Sequence, residues 1–395
     1  MLRGISGNVL ILGLVSFLTD VSSEMIYPLL PLFLTAVLGA GPALLGVIEG
    51  VAESTAALLK LASGIWSDRV RRRKPLVLAG YGLSSLARPL VAVATGPLAV
   101  LVIRFADRIG KGVRTSPRDA LIADSVAPEL RGRAFGFHRA MDHAGALLGP
   151  LLAAALLATW VDDLRVVFAL AAIPGALAVL LIVLKVRESA ARELAPSSPD
   201  GFLTLVPRGT LRRYLLILFL FTLGNSTDAF LLLRASELGV RAAHIPLLWA
   251  FFHVVKMVSV YPFGALSDRL GRRRMILAGW GVYALAYIGF GLAQATWQIW
   301  ALFAFYGIFY GLTEGTEMAL LADLADPAQR GAAFGWYNFA IGIGALPASL
   351  LFGAIWQRFG APAAFGFGAG LAALAAVLLW GLVRERQIGR GSPAA

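Results

Sequence analysis

Several groups of ionisable residues in this sequence sit inside otherwise apolar stretches. Asp20 and Glu24 stand one helical turn apart, and Glu49 and Glu53 repeat that spacing, with Lys60 further on. Arg104, Asp107, Lys111, Arg114 and Arg118 recur at helical intervals and form one charged stripe, with Arg108, Asp119 and Asp124 beside it. His138, Arg139, Asp142 and His143 make a further cluster. Such charges are costly in an apolar environment, so they either neutralise one another or line a water-filled path. One reading is a structural network of pairs, and most of these residues fit it. The sharper reading gives a subset of them chemistry. An arginine grips a carboxylate or phosphate in two parallel hydrogen bonds, which singles out Arg108, Arg114 and Arg118 as substrate-binding candidates. A desolvated carboxylate holds its proton, and a nearby arginine makes it release it. Glu24, Asp107 and Asp142 are therefore the proton-coupling candidates, with Arg104 as the modulating cation.

Other chemistries find no support. His138 with Asp142, and Arg139 with His143, read as hydrogen-bonded pairs rather than a metal site, and His253 with Lys256 reads as isolated polar packing or cavity lining. The absence of cysteine removes disulfides and thiolate sites. No His-Glu-x-x-His, Gly-x-Ser-x-Gly or phosphate-loop motif is present, so neither an enzyme nor an ATP-driven machine is expected, and no cofactor beyond a proton gradient.

The elements that must position these residues are membrane helices. Of 395 residues, 58% are hydrophobic and 15% charged, against roughly half and a quarter in soluble domains. Apolar stretches long enough to cross a bilayer cover roughly 7–37, 43–66, 75–95, 97–125, 131–159 and 165–186, then 212–239, 243–266, 274–294, 297–325, 330–356 and 362–383. The predicted fold is thus all-α and integral to the membrane, with twelve transmembrane helices in two six-helix bundles. The bundles span 1–186 and 212–395, joined by a polar linker at 187–211. The net charge of +12 resides in short loops and not in a nucleic-acid face. The basic runs after the second and eighth spans place both termini and these loops in the cytoplasm, in a bacterial inner membrane.

The halves repeat one another. Gly64, Asp68 and Arg69 match Gly264, Asp268 and Arg269 (264 − 64 = 200), and Asp124, Arg131 and Gly136 match Asp323, Arg330 and Gly335 (323 − 124 = 199). Polar loop residues in register twice indicate a duplication of about six spans, an organisation common among transporters.

The two Gly-x-x-x-Asp-Arg loops resemble the cytoplasmic signature of the major facilitator superfamily. The resemblance implies that Gly64, Asp68, Arg69, Gly264, Asp268 and Arg269 form a conformational latch. Physically, the glycines allow close helix packing, an aspartate can accept from a neighbouring helix N-terminus, and the arginines can pair with acids across the seam between the halves. The spacing of Gly136, Gly145, Gly149 and Pro150 resembles a helix-packing motif of the family's antiporters, although Ala153-Ala154 replaces its final glycines. This implies export in exchange for protons. Arg104, Gly110 and Gly112 fit the family's fourth-span pattern, while Asp107, Arg108 and Lys111 depart from it with charges. The resemblance also places spans 1, 4, 7 and 10 around a central cavity. That adds Asp20, Asn225, Asp228, Tyr310, Glu314 and Glu317 to the substrate-binding candidates, with Arg234 and Tyr306 nearby. The expected function is proton-coupled efflux of a small molecule, anionic or zwitterionic, by a monomer in the lipid bilayer. The alternative is import or exchange of an anionic metabolite or metal chelate; a membrane sensor or membrane enzyme fits less well.

Overall fold

A computed structural model describes residues 6–30, 33–38, 42–70, 72–160, 163–188, 206–226, 228–240 and 244–383. Residues 189–205 of the expected linker lie outside them, as do the side chains of Glu49 and Glu53. The described residues form helices and no strand.

The first half comprises α1 (Gly7–Glu24), α2 (Pro42–Val70), α3 (Lys74–Ala87), α4 (Pro97–Asp124), α5 (Arg131–Thr159), α6 (Leu164–Leu170) and α7 (Ala172–Lys185). The second comprises α8 (Gly209–Gly224), α9 (Ala229–Glu237), α10 (Ile245–Leu270), α11 (Arg272–Leu292), α12 (Thr296–Leu324), α13 (Arg330–Phe359) and α14 (Ala361–Leu382). The pairs α6–α7 and α8–α9 each replace one expected span. Span 7–37 also breaks: α1 stops at Glu24, and a 3₁₀ turn over Tyr27–Leu29 and a π turn over Phe33–Val37 follow. Pro28 opens that first turn. Likewise α3 ends at Ala87, and Arg88–Val93 continue as a 3₁₀ turn because Pro89 removes a helical donor.

Among the described residues, seven helical stretches are long and apolar enough to cross a membrane by length and composition. The stripe of charges keeps α4 out of that set. Large apolar side chains such as Leu86, Leu98, Val258, Leu285 and Leu350 point outward, as a lipid-facing surface requires.

The packing follows the sequence repeat. In the first half α1 packs on α5 and α7, α2 and α3 on α4, and α3 on α7; in the second α8 packs on α13 and α14, α10 and α11 on α12, and α11 on α14. The halves meet reciprocally, α5 against α10 and α12, and α13 against α2 and α4. Glycines bring these helices together. A Cβ on Gly64 would overlap the Gly331 carbonyl, and one on Gly132 the Gly264 carbonyl.

Candidate functional site

At the end bearing the Gly-x-x-x-Asp-Arg loops, two equivalent clamps join the halves. Asp68, near the end of α2, accepts from the amides of Gly331 (3.0 Å) and Ala332 (2.7 Å) in the first turn of α13. Asp268, near the end of α10, accepts from Gly132 (2.9 Å) and Arg133 (3.0 Å) in the first turn of α5. Each carboxylate thus satisfies orphan donors at a helix N-terminus in the other half. Beside them Asp124 is held by Arg73 and Arg330, and Asp323 by Arg131 and Arg272. The arginines whose ion pairs cross the seam are therefore Arg131 and Arg330, and Arg272 also crosses it to donate to the Pro128 carbonyl (2.8 Å). Arg69 and Arg269, expected there, are exposed and make no hydrogen bond or ion pair among the described residues. One residue is a rotation of about 100° on a helix, so a neighbour of a seam-facing aspartate looks away from the seam.

Along the first half, the stripe on α4 turns inward. Asp107 is fixed by Arg88 (Nε to Oδ1, 2.8 Å) and Arg104 (Nη1 to Oδ2, 3.5 Å), while Arg88 also donates to the Thr19 carbonyl (3.0 Å). Arg104 lies over the ring of Tyr27. Arg114 donates to Ser84 (2.6 Å) and lies 4.3 Å from the centre of the Tyr81 ring. Arg118 pairs with Asp119 (2.8 Å) and donates to the Tyr81 hydroxyl (3.3 Å). Arg108 is buried beside them, and its charge acts on Asp107 and Glu24. Asp142, on α5, accepts from Ser16 and Arg139 (3.1 Å), with His138 Nδ1 at 3.6 Å.

Asp20 and Glu24 differ from all of these. Both are partly exposed, and neither carboxylate accepts a hydrogen bond or forms an ion pair among the described residues. The charges of Lys111 and Arg114 act on Asp20 through space, as do those of Asp142 and Glu24; Lys111, Arg88, Arg108 and Arg104 act on Glu24. Gly145 and Gly149 let α5 approach this part of α1: a Cβ on Gly145 would meet the Phe17 carbonyl, and one on Gly149 the Glu24 Cβ. Gly136 packs instead against the Val260 carbonyl of α10. Helix α5 runs unbroken through Pro150.

The second half places aromatic rings where the first has charges. Asp228, in the break after Asn225, accepts from Tyr306 (3.0 Å) and Tyr310 (3.3 Å). Asn225 is half-buried and its amide donates to the Thr222 carbonyl. Arg234 bonds to the Phe290 and Ala293 carbonyls and pairs with Glu237. Glu317 is buried between Trp280 Nε1 (3.1 Å) and the Tyr337 hydroxyl (2.8 Å). The repeat explains the register: Arg88, Asp107 and Lys111 correspond to Tyr287, Tyr306 and Tyr310 (306 − 107 = 199). Tyr81 and Arg118 correspond to Trp280 and Glu317 (317 − 118 = 199), and both pairs touch, with the charge reversed.

Among the described residues, a polar contact also crosses between the halves away from the clamps. His143 Nε2 lies 2.8 Å from Glu314 Oε2, and the His143 ring lies 5.5 Å from that of His253, tilted by 58°. The sequence reading pairs His143 with Arg139 and leaves His253 isolated, because spacing along one helix cannot show a partner on another. For the same reason Arg88, Ser16, Trp280 and Tyr337 go unnoticed there. A lone arginine in the apolar run before Pro89 is the signal that could have found Arg88.

Comparison with known proteins follows from this geometry. The sequence profile of the Major Facilitator Superfamily matches residues 12–233 and again 214–395. An uncharacterised MFS-type transporter of Methanocaldococcus jannaschii is 35% identical over 367 residues, covering 90% of each chain. The multidrug resistance protein MdtH of Salmonella paratyphi B is 25% identical, over 81% of this chain and 79% of its own. The Escherichia coli fucose:proton symporter superposes with a TM-score of 0.81 at 16% identity, over 96% of this chain and 99% of its own, a likeness of fold.

Proposed function

The chain belongs to the Major Facilitator Superfamily, and from that premise we propose that this multi-pass membrane transporter exports a small molecule in exchange for protons, by alternating access of its two halves. The observation that carries the proposal is the contrast among the acids of the first half. Asp107 and Asp142 are held by arginines, whereas the carboxylates of Asp20 and Glu24 are partly exposed and have no direct partner among the described residues. Carboxylates that line a path and lack a fixed counter-ion can exchange protons as their surroundings change. Lys111, Arg108 and Arg104 lie within electrostatic reach of Glu24. Substrate leaving or entering near those cations would alter the field at Asp20 and Glu24 and so tie proton movement to transport.

The clamped end faces the cytoplasm in this reading, because the basic loops lie there. The structure would then be the state closed to the cytoplasm, in a bacterial inner membrane, with both termini on the cytoplasmic side and the protein working as a monomer. Release of the Asp68 and Asp268 clamps would open the way for substrate from the cytoplasm. The kinship with a multidrug resistance protein supports efflux.

A second reading, exchange or import of an anionic metabolite or chelate, is favoured by the excess of cations on α4. Purified protein in proteoliposomes under an imposed pH gradient separates the two, using a panel of cationic drugs, organic anions and metal chelates. Export driven by inward proton flow supports the first reading. Flux that ignores the pH gradient but depends on a counter-anion supports the second.

A further inference from the structure

Lys256, on α10, is only 5% exposed, yet no carboxylate or other acceptor lies within bonding distance of its ammonium among the described residues. Its neighbours are rings. The Nζ lies 3.5 Å from the centre of the Tyr310 ring, 4.0 Å from that of Phe252 and 5.9 Å from that of Trp249. The acids whose fields reach it, Asp228 and Glu314, are engaged elsewhere, by the Tyr306 and Tyr310 hydroxyls and by His143. One turn earlier on the same helix, His253 Nδ1 is buried with no partner. An ammonium on so buried a side chain, met by π faces alone, is under-compensated. A bound anion would satisfy both groups.

We propose that Lys256 and His253 form an anion subsite in the second half, which receives the carboxylate or sulfonate of an organic anion with an apolar, aromatic body. The inference rests on the transporter reading and names its substrate class. Lys256 supplies the charge, and the unpartnered His253 ring nitrogen supplies a hydrogen bond in the appropriate tautomer. Tyr310, Phe252 and Trp249 supply flat apolar surface for the body of the ligand. Tyr310 also ties the subsite to Asp228, so an anion drawing on Lys256 would act on the break between α8 and α9. The arginines of α4 are less available, because Arg114 and Arg118 are committed to Ser84, Tyr81 and Asp119.

The test uses the full-length protein in nanodiscs with benzoate, benzenesulfonate and benzylammonium as probes, followed by titration calorimetry and thermal melting. Wild type should bind the two anions and not the cation. Lys256→Met, which keeps the apolar stem, should weaken anion binding at least about tenfold, and Lys256→Arg should restore much of it. Without ligand, Lys256→Met should melt at a higher temperature, because an uncompensated buried charge has been removed. Unchanged anion binding in Lys256→Met, or a lower melting temperature in its ligand-free form, would overturn the subsite. Lys256-dependent binding with no flux in proteoliposomes would uphold the subsite and overturn the transport reading. Flux of other compounds with no Lys256-dependent anion binding would overturn the subsite alone.

Discussion

Arg88 Nε lies 2.8 Å from Asp107 Oδ1, and both side chains are almost completely buried. The pair joins the end of α3 to the middle of α4, and the second Arg88 contact, to the Thr19 carbonyl, ties in α1. It makes Asp107 a fixed strut rather than a mobile proton site. Arg88→Met should destabilise the protein by about 3–5 kcal/mol, because it strands a buried carboxylate. Denaturation of the purified protein measures this. Asp107→Asn should lower stability similarly while leaving the proton-to-substrate ratio of the surviving protein unchanged.

The clamps give a second prediction. Asp68→Asn and Asp268→Asn each replace a carboxylate that bonds two amides at a helix N-terminus. Each should weaken the closed seam by about 1.5–3 kcal/mol, the range for hydrogen bonds to a charged group. The double variant should be close to additive, because the two clamps share no residue. Since the chain has no cysteine, Ser67→Cys, buried at the seam, offers a clean reporter. Its labelling by a membrane-impermeant maleimide should speed up in both single variants and most in the double.

Steric contact at the same seam gives a third. Gly64→Ala and Gly132→Ala place a methyl group against the carbonyls of Gly331 and Gly264. Both should favour separation of the halves at this end, with faster Ser67→Cys labelling and no loss of charge. Slower labelling would show that the helices approach by another surface.

The contact between His143 and Glu314 links the halves away from the clamps. A cycle of His143→Ala, Glu314→Gln and the double variant should give a coupling of about 1–3 kcal/mol in thermal stability. A coupling near zero would show that the two side chains act independently.

How far the sequence foretells this arrangement depends on what each signal measures. Length and hydropathy report where a helix can cross a bilayer, so the helical fold and the twofold repeat were legible. Pro28 and Pro89 set local breaks that an apolar run conceals. Spacing reports which residues share a helix, and it found the α4 stripe and the Asp20–Glu24 pair. It is blind to partners on other helices. Spacing therefore points to Arg69 and Arg269 at the seam, where Arg131 and Arg330 make the ion pairs, and gives no sign of Arg88 beside Asp107. The repeat itself held more information. Carrying the offset of 199 from Arg118 to Glu317 and from Tyr81 to Trp280 gives a contact in the second half that neither residue suggests alone.

In the proposed cycle Asp20 and Glu24, whose carboxylates have no direct partner among the described residues, couple transport to protons. The most direct test of this claim compares two assays in proteoliposomes, using a substrate found in the flux screen. Glu24→Gln and Asp20→Asn should each abolish accumulation driven by a pH gradient, while substrate counterflow, which needs no net proton movement, stays within a few-fold of wild type. Retention of gradient-driven accumulation by the double variant Asp20→Asn/Glu24→Gln would contradict the claim.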